Sequence, residues 1–303
     1  MKWDVAIIGA GPAGLSAGLY CARAKLSTVI IEKMYPGGQA ALTHKIENYP
    51  GFTEGINGAE LTENMKKQAE KFGANIINGE VQGIEKQGDK FLINLKNETL
   101  EASSVILAMG AQARKLGIED EERFVGKGIS YCATCDGAFY VGSPVAMVGG
   151  GDTAIEEALF LTRFASKIYV IHRRDQLRAT KILQERSFKN EKIEFIWNSI
   201  VKGIKGDPMV QEVLLEDVKT GEQRTLSVDG LFVAIGWEPN TGIVKDLLKL
   251  DDQGYIITDE NMQTDIPGLF AAGDVRKKPL RQVVTAVADG AIAAVSAEKY
   301  LDR

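Results

Sequence analysis

The chain has 303 residues, about twice the length of a usual single domain, so we expect two domains. Hydrophobic residues make up 45% of the sequence and charged residues 25%, a globular composition that excludes a disordered, collagen-like or coiled-coil chain. The net charge of −5 lacks the basic surplus of a general nucleic-acid binder, and three cysteines are too few for a secreted, disulfide-held scaffold.

The uncharged stretch from Val5 to Ala22 superficially resembles the apolar core of a signal peptide. Asp4 precedes it, however, and the stretch is interrupted by glycines and a proline at Gly9, Gly11, Pro12, Gly14 and Gly18. No other apolar run reaches the length of a membrane-spanning helix. We therefore expect a soluble, cytoplasmic protein with neither a membrane nor a nucleic-acid partner.

The first predicted element is a strand at Val5 to Ile8, whose short apolar run is typical of a strand buried on both faces. The glycine turn Gly9-Ala10-Gly11-Pro12-Ala13-Gly14 follows, and a helix continues to Arg23. A second strand, Thr28 to Ile31, ends at Glu32. A strand, a glycine turn, a helix and an acidic residue in this order predict a dinucleotide site.

The spacing of these glycines fits a phosphate-binding turn of the Rossmann type. Gly9 permits the tight turn, Gly11 lets the backbone approach a pyrophosphate, and Gly14 allows the helix and strand to pack closely. The start of the helix supplies unpaired N–H groups to a phosphate. Glu32 is placed to accept a hydrogen bond from a ribose hydroxyl. The alternative is that the glycines serve only a turn.

Between and after the dinucleotide units, alternating segments predict small antiparallel additions. Ile76 to Ile93 alternates around Gly83 and Gly88, and Gln211 to Leu226 alternates around Thr220-Gly221.

The strand–turn–helix–strand pattern occurs a second time. A strand at Val145 to Val148 precedes the turn Gly149-Gly150-Gly151-Asp152-Thr153-Ala154. A helix from Ala154 to Phe164 and a strand from Ile168 to Ile171 complete the unit. The chain therefore carries two dinucleotide-type units.

The residues placed to contact the ribose differ in this second unit. The second strand is followed by His172, Arg173 and Arg174, with Arg178 shortly after. Guanidinium groups suit the 2′-phosphate of NADP, although a solvated basic turn is the alternative. The first site, with Glu32, should then hold an adenosine with free hydroxyls, and the second should hold NADPH. Because one dinucleotide is a hydride donor, we expect the other to be a flavin.

Cys132-Ala133-Thr134-Cys135 is the one close pair of cysteines in the sequence. A zinc site needs four ligands, and Cys21, His44 and His172 all lie in different segments, so no metal site is expected. A C-x-x-C motif beside a βαβ unit favours a dithiol/disulfide centre, with two buried spectator thiols as the alternative. Asp136 is the nearest candidate to move a proton as a thiolate leaves or returns, unless it serves only as a cap or turn residue.

The chain crosses between the predicted domains at Gly110 to Gly117 and Gly236 to Gly242. Beyond the second crossing we expect a strand at Gly268 to Ala272 and a closing helix. The apolar stripe predicted for that helix consists of Val283, Val287, Ala291 and Val295. The second domain is therefore expected to be inserted into the first.

Together these features resemble the low-molecular-weight, bacterial-type thioredoxin reductases over essentially the whole chain. The likeness rests on Cys132-Ala133-Thr134-Cys135-Asp136-Gly137, on the two glycine turns and on His172-Arg173-Arg174. Shorter matching segments are Gly37-Gly38-Gln39, Glu47-Asn48-Tyr49-Pro50-Gly51, Ala108-Met109-Gly110, Ile235-Gly236, Pro239-Asn240-Thr241, Gly273-Asp274-Val275 and Arg281-Gln282.

The resemblance implies an α/β fold of the pyridine nucleotide-disulfide oxidoreductase type, built from two Rossmann-like domains. An NADPH domain with the redox disulfide (113–240) is inserted into a discontinuous FAD domain (1–112 and 241–303). Family members are typically homodimers. The residues implied around FAD are Gly9, Gly11, Pro12, Ala13, Gly14, Glu32, Gly38, Gln39, Asn48, Gly110, Gly273, Asp274, Arg281 and Gln282. Those implied around NADPH are Gly149, Gly151, Asp152, Thr153, Ala154, His172, Arg173, Arg174 and Arg178.

The implied activity is NADPH-dependent thioredoxin-disulfide reduction. A hydride passes from NADPH to FAD, and the electrons pass on to the Cys132–Cys135 disulfide. Cys135 is then the sulfur beside the flavin, Cys132 attacks oxidised thioredoxin, and Asp136 acts as acid and base. Because the nicotinamide and the cysteines both need the flavin, the inserted domain should rotate about residues 111–117 and 236–242.

Departures from the family pattern are modest. Met109 stands where Thr is frequent, and Thr153 and Ile155 stand where Ser and Val are common. Lys127 replaces an arginine that faces thioredoxin in some members, so partner affinity is the least transferable property.

Three related enzymes and one other class are the competing interpretations. A ferredoxin-fed relative tends to lack the second glycine turn and the basic cluster. A ferredoxin–NADP reductase would lack Cys132 and Cys135, and a peroxiredoxin-reducing relative carries an N-terminal extension for which we expect no room. A nucleotide-bound redox sensor stays possible from sequence, because binding motifs do not prove turnover.

Overall fold

A computed structural model describes residues 2–43, 46 and 48–302, and for Cys135 it describes the backbone alone. His44, which was considered as a metal ligand, and Glu47, which belongs to a segment that matches the family, lie outside the described residues. The chain separates into two compact units, Met1–Gln112 with Glu238–Arg303, and Ala113–Trp237.

The strands of the described residues follow one another along the chain and are numbered in that order. They are β1 (Lys2–Ile8), β2 (Thr28–Glu32), β3 (Asn75–Asn78), β4 (Val81–Gln87), β5 (Lys90–Leu95), β6 (Thr99–Leu107), β7 (Ala111–Ala113), β8 (Ile129–Ser130), β9 (Pro144–Val148), β10 (Lys167–Ile171), β11 (Ile193–Ile196), β12 (Ser199–Lys205), β13 (Glu212–Asp217), β14 (Gln223–Ser227), β15 (Gly230–Val233), β16 (Trp237–Pro239) and β17 (Leu269–Ala271).

The α-helices of the same residues are numbered likewise. They are α1 (Pro12–Arg23), α2 (Gly38–Ala41), α3 (Gly58–Phe72), α4 (Glu121–Phe124), α5 (Ala133–Asp136), α6 (Asp152–Leu161), α7 (Lys181–Phe188) and α8 (Val283–Leu301). No helix of the described residues is both long and apolar enough to cross a membrane.

The first unit is built on a mixed sheet in the order β3-β2-β1-β6-β5-β4, with β17 also beside β6. β1 pairs in parallel with β2 and with β6, and β17 extends the parallel part. Residues Val5 to Ile8 are buried, as expected for a strand covered on both faces. This arrangement places the ends of β1 and β2, and therefore the first glycine turn and Glu32, at one edge of the sheet.

Small residues set the packing of α8, and the predicted apolar stripe is not the fully buried face of that helix. Its buried face is formed by Ala286, Gly290, Ala293, Ala294 and Ala297, while Val295 is 37% exposed. A Cβ at Gly290 would collide with the carbonyl oxygen of Ala13 in α1. The two helices approach so closely that only small side chains fit between them, so Val283 and Val287 are only half-buried and Val295 is exposed.

One of the two predicted hairpins is only partly correct. β4 and β5 are antiparallel and connect at Gly88, whose φ of +59° suits the turn. Gly83 is not a turn, since it lies inside β4 at a shift in register. The segment before it forms β3, which pairs in parallel with β2. The alternating sequence does not distinguish an edge strand of the parallel sheet from one arm of a hairpin.

The second unit has a parallel sheet in the order β11-β10-β9-β15-β8 and a separate antiparallel sheet, β12-β13-β14. The predicted hairpin at Gln211 to Leu226 is confirmed by the pairing of β13 with β14. α6 begins at Asp152, before the predicted start at Ala154, because Gly151 takes the N-cap position. The segments at which the chain passes between the units contain β7 and β16, which pair with each other.

Candidate active site

The turn that carries the cysteine pair is held by backbone and hydroxyl contacts. Cys132 is disulfide-bonded, and it immediately precedes the short helix α5. Its N–H donates to Ser130 Oγ at 3.1 Å, and its carbonyl accepts from the N–H of Asp136 at 3.2 Å. The Cys132 Sγ lies 3.3 Å from Thr134 Oγ1. The side chain of Cys135 lies outside the described residues, so its predicted role stays a prediction.

Asp136 is half-buried at the end of this helix. It precedes a 3₁₀ turn, Gly137–Tyr140, but its side chain does not cap that turn. Burial raises the pKa of the Tyr140 hydroxyl, and the negative charges of Asp136 and Asp229 raise it further. The role of Asp136 in proton transfer stays a prediction.

Cys21 is a free thiol in the core of the first unit. Burial raises its pKa to about 12. Because the thiolate is the reactive form of cysteine, Cys21 is chemically inert at neutral pH.

The second glycine turn is shaped by contacts that exclude side chains. Gly149 has a φ of +154°, and a Cβ there would lie 2.5 Å from the carbonyl oxygen of Ala234. A Cβ at Gly150 would collide with the imidazole of His172. A Cβ at Gly151 would meet nothing within 4 Å, which leaves the N-terminus of α6 open to a ligand. The Asp152 carboxylate accepts from the N–H of Thr180 at 2.6 Å.

His172 packs over this turn as a neutral imidazole. Burial lowers its pKa, and the positive charges of Arg178, Arg174 and Arg173 lower it further. The backbone of Gln176 hydrogen-bonds the ring, whereas Nε2 is buried without a hydrogen-bond partner among the described residues. His172 therefore supports the turn by packing its ring against Gly150.

The basic residues predicted to read the ribose line one cavity of about 420 Å³. Arg173, Arg174 and Arg178 contribute to its wall, together with Lys219 from the turn between β13 and β14. The Lys219 Nζ lies 3.1 Å from Asp175 Oδ2, and this contact lowers the pKa of Asp175. The cavity can hold an anionic group such as a 2′-phosphate, because arginines match phosphate geometry and Lys219 offsets the acidic residue.

A smaller cavity of about 160 Å³ lies against the glycine turn. Gly151, Thr153 and Arg178 line it, and so do Tyr131 and Glu157. Arg178 contributes to both cavities, and its backbone N–H donates to the Gly150 carbonyl at 2.7 Å. The two cavities together can accept an extended, phosphate-bearing ligand.

The first glycine turn, like the second, has glycines where close contacts exclude a side chain. Gly9 has a φ of +101°, and a Cβ there would lie 2.5 Å from the Ala108 carbonyl oxygen. A Cβ at Gly14 would collide with the Gly9 carbonyl oxygen, whereas one at Gly11 would meet nothing within 4 Å. Pro12 and Ala13 open α1 directly after Gly11. The backbone at Gly11 is therefore open to a pyrophosphate.

Glu32 is hydrogen-bonded to the backbone of this turn. Its Oε2 accepts from the N–H of Ala10 at 2.8 Å, and its Oε1 accepts from the N–H of Met34 at 3.0 Å. Each carboxylate oxygen can accept more than one hydrogen bond, so a ribose hydroxyl could still donate to Glu32.

The other residues predicted around the flavin are joined in small groups. Gly38, with a φ of +56°, lies close to the turn, since a Cβ there would be 3.2 Å from Gly11 Cα. Gln39 follows it in α2 and is exposed. The Asn48 amide donates to Gln282 Oε1 at 2.9 Å. Gln282 is in turn the N-cap of α8.

Asp274 belongs to a buried cluster of charges that the sequence did not reveal. Lys278 Nζ lies 3.2 Å from Asp274 Oδ1 and 3.1 Å from Asp289 Oδ2. Arg276 approaches Asp289 at 3.2 Å, and Asp289 also accepts from the N–H of Gly273 at 3.1 Å. Burial raises the pKa of Asp274, and the positive charge of Lys278 opposes that rise.

These residues fit a flavin dinucleotide. Arg281 Nε is buried without a hydrogen-bond partner among the described residues, and the buried Asp274 Oδ1 has its ion pair with Lys278 but room to accept a further hydrogen bond. The Arg281 guanidinium lies 3.9 Å from the centre of the Tyr255 ring, which fixes its plane. An acceptor and a donor held in this way suit the hydroxyls and phosphates of FAD. Gly110, with a φ of +65°, leaves open space at its Cβ position.

Comparisons with known proteins identify the family. The profile of the pyridine nucleotide-disulphide oxidoreductases matches residues 3–290. The chain is 48% identical to a thioredoxin reductase of Peptoclostridium acidaminophilum and 50% identical to one of Treponema pallidum, in each case over 99% of this chain and 97% of the relative. The crystal structure of Lactococcus lactis thioredoxin reductase, in its FR conformation, superposes with a TM-score of 0.84 at 48% identity and covers 99% of both chains.

These findings confirm the predicted fold class, with its two dinucleotide-binding domains, and the predicted resemblance. The aligned region covers 99% of the chain, so it includes both glycine turns and the cysteine motif. The chain belongs to the pyridine nucleotide-disulphide oxidoreductases, and within them to the thioredoxin reductases.

Proposed function

We propose that the chain reduces the disulfide of thioredoxin with electrons from NADPH, through FAD and through the pair Cys132 and Cys135. The observation that carries this proposal is the disulfide-bonded Cys132 in the same unit as a glycine turn and an arginine-lined cavity. A nucleotide donor and a disulfide acceptor are what an NADPH-dependent oxidoreductase acting on sulfur requires.

In this proposal, each of the two units binds one of the two dinucleotides. Met1–Gln112 with Glu238–Arg303 holds FAD, with its pyrophosphate at Gly11 and with Asp274 and Arg281 on the flavin side. Ala113–Trp237 holds NADPH, with Gly151 beside its phosphates and Arg173, Arg174 and Arg178 on the 2′-phosphate. Bound FAD supplies two-electron chemistry between a nicotinamide and a disulfide.

Thiol–disulfide exchange is the part of the reaction that the chain's own atoms perform. Two electrons break the Cys132–Cys135 bond and leave two sulfur atoms, of which Cys132 as thiolate attacks the disulfide of thioredoxin. The new bond is a mixed disulfide, and one thioredoxin sulfur leaves as a thiolate. The Cys135 thiolate then attacks Cys132, which restores the internal disulfide and releases reduced thioredoxin. Asp136 donates to and accepts from these sulfurs the protons that balance the charge.

The apolar residues that follow the redox turn are the proposed contact for thioredoxin. Phe139 is 81% exposed and Val141 is 71% exposed. Large exposed apolar side chains close to a reactive group favour a protein partner.

Reduction of the disulfide and exchange with thioredoxin require different neighbours for the same turn. We propose that the inserted unit rotates about residues 111–117 and 236–242 between the two steps. Glu121 is buried and accepts from the N–H groups of Leu116 and Gly117, both at 2.8 Å, and from the Tyr131 hydroxyl at 2.7 Å. This carboxylate ties the end of the first crossing to the residue before Cys132, so the hinge ends where the redox turn begins.

An engineered cross-link between the units is expected to retain one half-reaction and to stop turnover. A fixed orientation gives the flavin only one of its two partners. Stopped-flow absorbance of the cross-linked protein, before and after cleavage of the link, measures both half-reactions. Full turnover in the linked protein would contradict the rotation.

We also propose that the protein is a cytoplasmic homodimer. The outward face of α8 carries Val284, Ile292 and Val295 at helical spacing, each between 37% and 41% exposed. A stripe of this kind on a helix otherwise packed by small residues favours an interface with a second copy.

Aspartate in place of Ile292 is expected to convert the dimer to a monomer, because a charge would be buried without a partner at the interface. Light scattering after size exclusion measures the mass of the wild type and of I292D. Lys299→Asp, a charge change at an exposed position of the same helix, is the control. A wild-type mass of one chain would refute the dimer.

Titration of the purified protein with NADPH, followed by visible absorbance, tests the central proposal. The flavin band is expected to be present and to bleach with NADPH, while NADH should bleach it far less at the same concentration. Addition of oxidised thioredoxin should then restore the band. A colourless protein, or a band that NADPH does not bleach, would refute the proposal, and bleaching without a response to thioredoxin would support a redox sensor.

A further inference from the structure

Glu157 is a carboxyl group that the proposed reaction does not use. It lies on α6, and its Oε2 is buried without a hydrogen-bond partner among the described residues. The carboxylate accepts a hydrogen bond from the backbone N–H of Ala133. Ala133 is fully buried and directly follows Cys132. The carboxyl is therefore attached to the redox turn itself.

The same carboxyl lines the cavity of about 160 Å³ beside the second glycine turn. Tyr131, from the segment that leads into the redox turn, and Arg178 line that cavity as well. Glu157 thus lies between the sulfur chemistry and the proposed dinucleotide site of one unit. A carboxyl with only an architectural role would be expected to have both oxygens satisfied.

We infer that Glu157 is a positioning residue of the redox turn and that it binds a proton when the disulfide of Cys132 is reduced. The inference deepens the proposed function, since it assigns a proton site to the same disulfide. Two electrons and one proton convert the disulfide to a thiolate and a thiol. The thiolate adds a negative charge next to Ala133, and a second proton on Glu157 compensates for that charge.

The electrostatic surroundings support this assignment. Burial raises the pKa of Glu157 to about 7, while the Ala133 N–H lowers it and the negative charge of Glu156 raises it. The other ionisable groups around it are Tyr131, Asp152 and Arg178 in the cavity and Asp136 on α5, which packs against α6. With the disulfide intact, the carboxyl is balanced between its two forms at neutral pH. A nearby thiolate disfavours the ionised form and so draws a proton to it.

The test is the equilibrium between the protein disulfide and dithiothreitol, from about pH 5.5 to 8.5, measured on the FAD-loaded protein by alkylation of Cys132 and mass spectrometry. Dithiothreitol releases two protons as it is oxidised. At a pH below the pKa of Glu157, reduction of the protein takes up one of these protons and the other is released. The equilibrium constant for reduction of the protein therefore rises about tenfold per pH unit. Above that pKa, reduction of the protein takes up both protons, one on a sulfur and one on Glu157. No proton is then released overall, and the equilibrium constant becomes independent of pH. The wild-type curve should therefore bend near pH 7.

Glu157→Gln keeps an acceptor for the Ala133 N–H and removes the titration. Its equilibrium constant should match that of the wild type near pH 6 and exceed it about tenfold near pH 8, with no bend. Glu185→Gln, which removes an exposed carboxyl of α7, should retain the bend.

A wild-type curve that rises evenly through the whole range would overturn the inference, as would a bend that survives in E157Q. If E157Q does not fold, the wild-type curve still tests the inference, since an even rise overturns it. The measurement needs neither NADPH nor thioredoxin. Failure of the proposed function would therefore show in turnover, and failure of this inference would show in the equilibrium.

Discussion

Serine in place of Cys132 is expected to reduce thioredoxin-dependent NADPH oxidation by at least about a thousandfold, as loss of a catalytic nucleophile does in other enzymes. Serine cannot form the internal disulfide or the mixed disulfide with thioredoxin, so electrons have no exit from the flavin. Binding of NADPH and FAD uses other residues, so NADPH should still bleach the flavin in C132S. Steady-state NADPH absorbance with oxidised thioredoxin, and an anaerobic flavin titration, measure the two effects separately.

The control for this substitution is Cys21→Ala. Cys21 is buried in the core of the first unit as an unreactive thiol, so C21A should keep its turnover apart from a modest loss of stability. The companion variant Cys135→Ser retains the attacking sulfur but lacks the resolving one. It should accumulate a covalent adduct with thioredoxin, visible as a mass increase that dithiothreitol removes. An adduct that forms with C132S instead would reverse the roles of the two sulfurs.

Much of the fold follows from patterns that are local in sequence. Each dinucleotide unit needs a buried strand, a glycine turn and a helix start, and these are encoded within about thirty consecutive residues. Gly9 and Gly149 could be recognised because their positive φ values and close backbone contacts tolerate no side chain. The cysteine pair was recognisable for the same reason, since two sulfurs at this spacing bond without distant partners.

The packing of α8 shows where such patterns fail. The periodicity of Val283, Val287, Ala291 and Val295 suggested the buried face, since large apolar residues usually lie in a core. In the structure, the distance between α1 and α8 decides instead, and alanines and Gly290 occupy the buried side. A close helix approach is a property of two distant segments, and neither segment reveals it alone.

The site residues that the sequence did not predict also depend on contacts between distant segments of the chain. Lys219 reaches the arginine-lined cavity from the β13–β14 turn. Lys278 and Asp289 surround Asp274 through the fold of the last segment, and Glu157 contacts a backbone group of another element. A buried lysine or glutamate looks like any surface charge in sequence. The weak signal for Glu157 was its place on the inward side of a helix between buried Ala154 and Leu161.

Replacement of Arg178 by glutamine is expected to lower kcat/KM for NADPH by about tenfold to a hundredfold, the usual cost of losing hydrogen bonds to a charged group. kcat/KM for NADH should change little. Arg178 is the basic residue that lines both cavities, so its guanidinium can contact a 2′-phosphate of a nucleotide that also lies against the glycine turn. NADH lacks that phosphate, so it loses no interaction. Initial rates with both nucleotides, at low and at high salt, measure the ratio.

Arg186→Gln provides a matched control, because it removes the same charge from an exposed position of α7 that does not line either cavity. If only the net charge of the unit mattered, R186Q and R178Q would lower kcat/KM for NADPH equally, and added salt would cancel both effects. A direct contact predicts that the loss in R178Q persists at high salt, since a bidentate bond depends on geometry as well as on charge. Equal losses of kcat/KM with NADPH and NADH in R178Q would contradict a contact with the 2′-phosphate. Arg178 would then support the glycine turn, next to its backbone hydrogen bond to Gly150. Selection of the phosphate would fall to Arg173, Arg174 and Lys219.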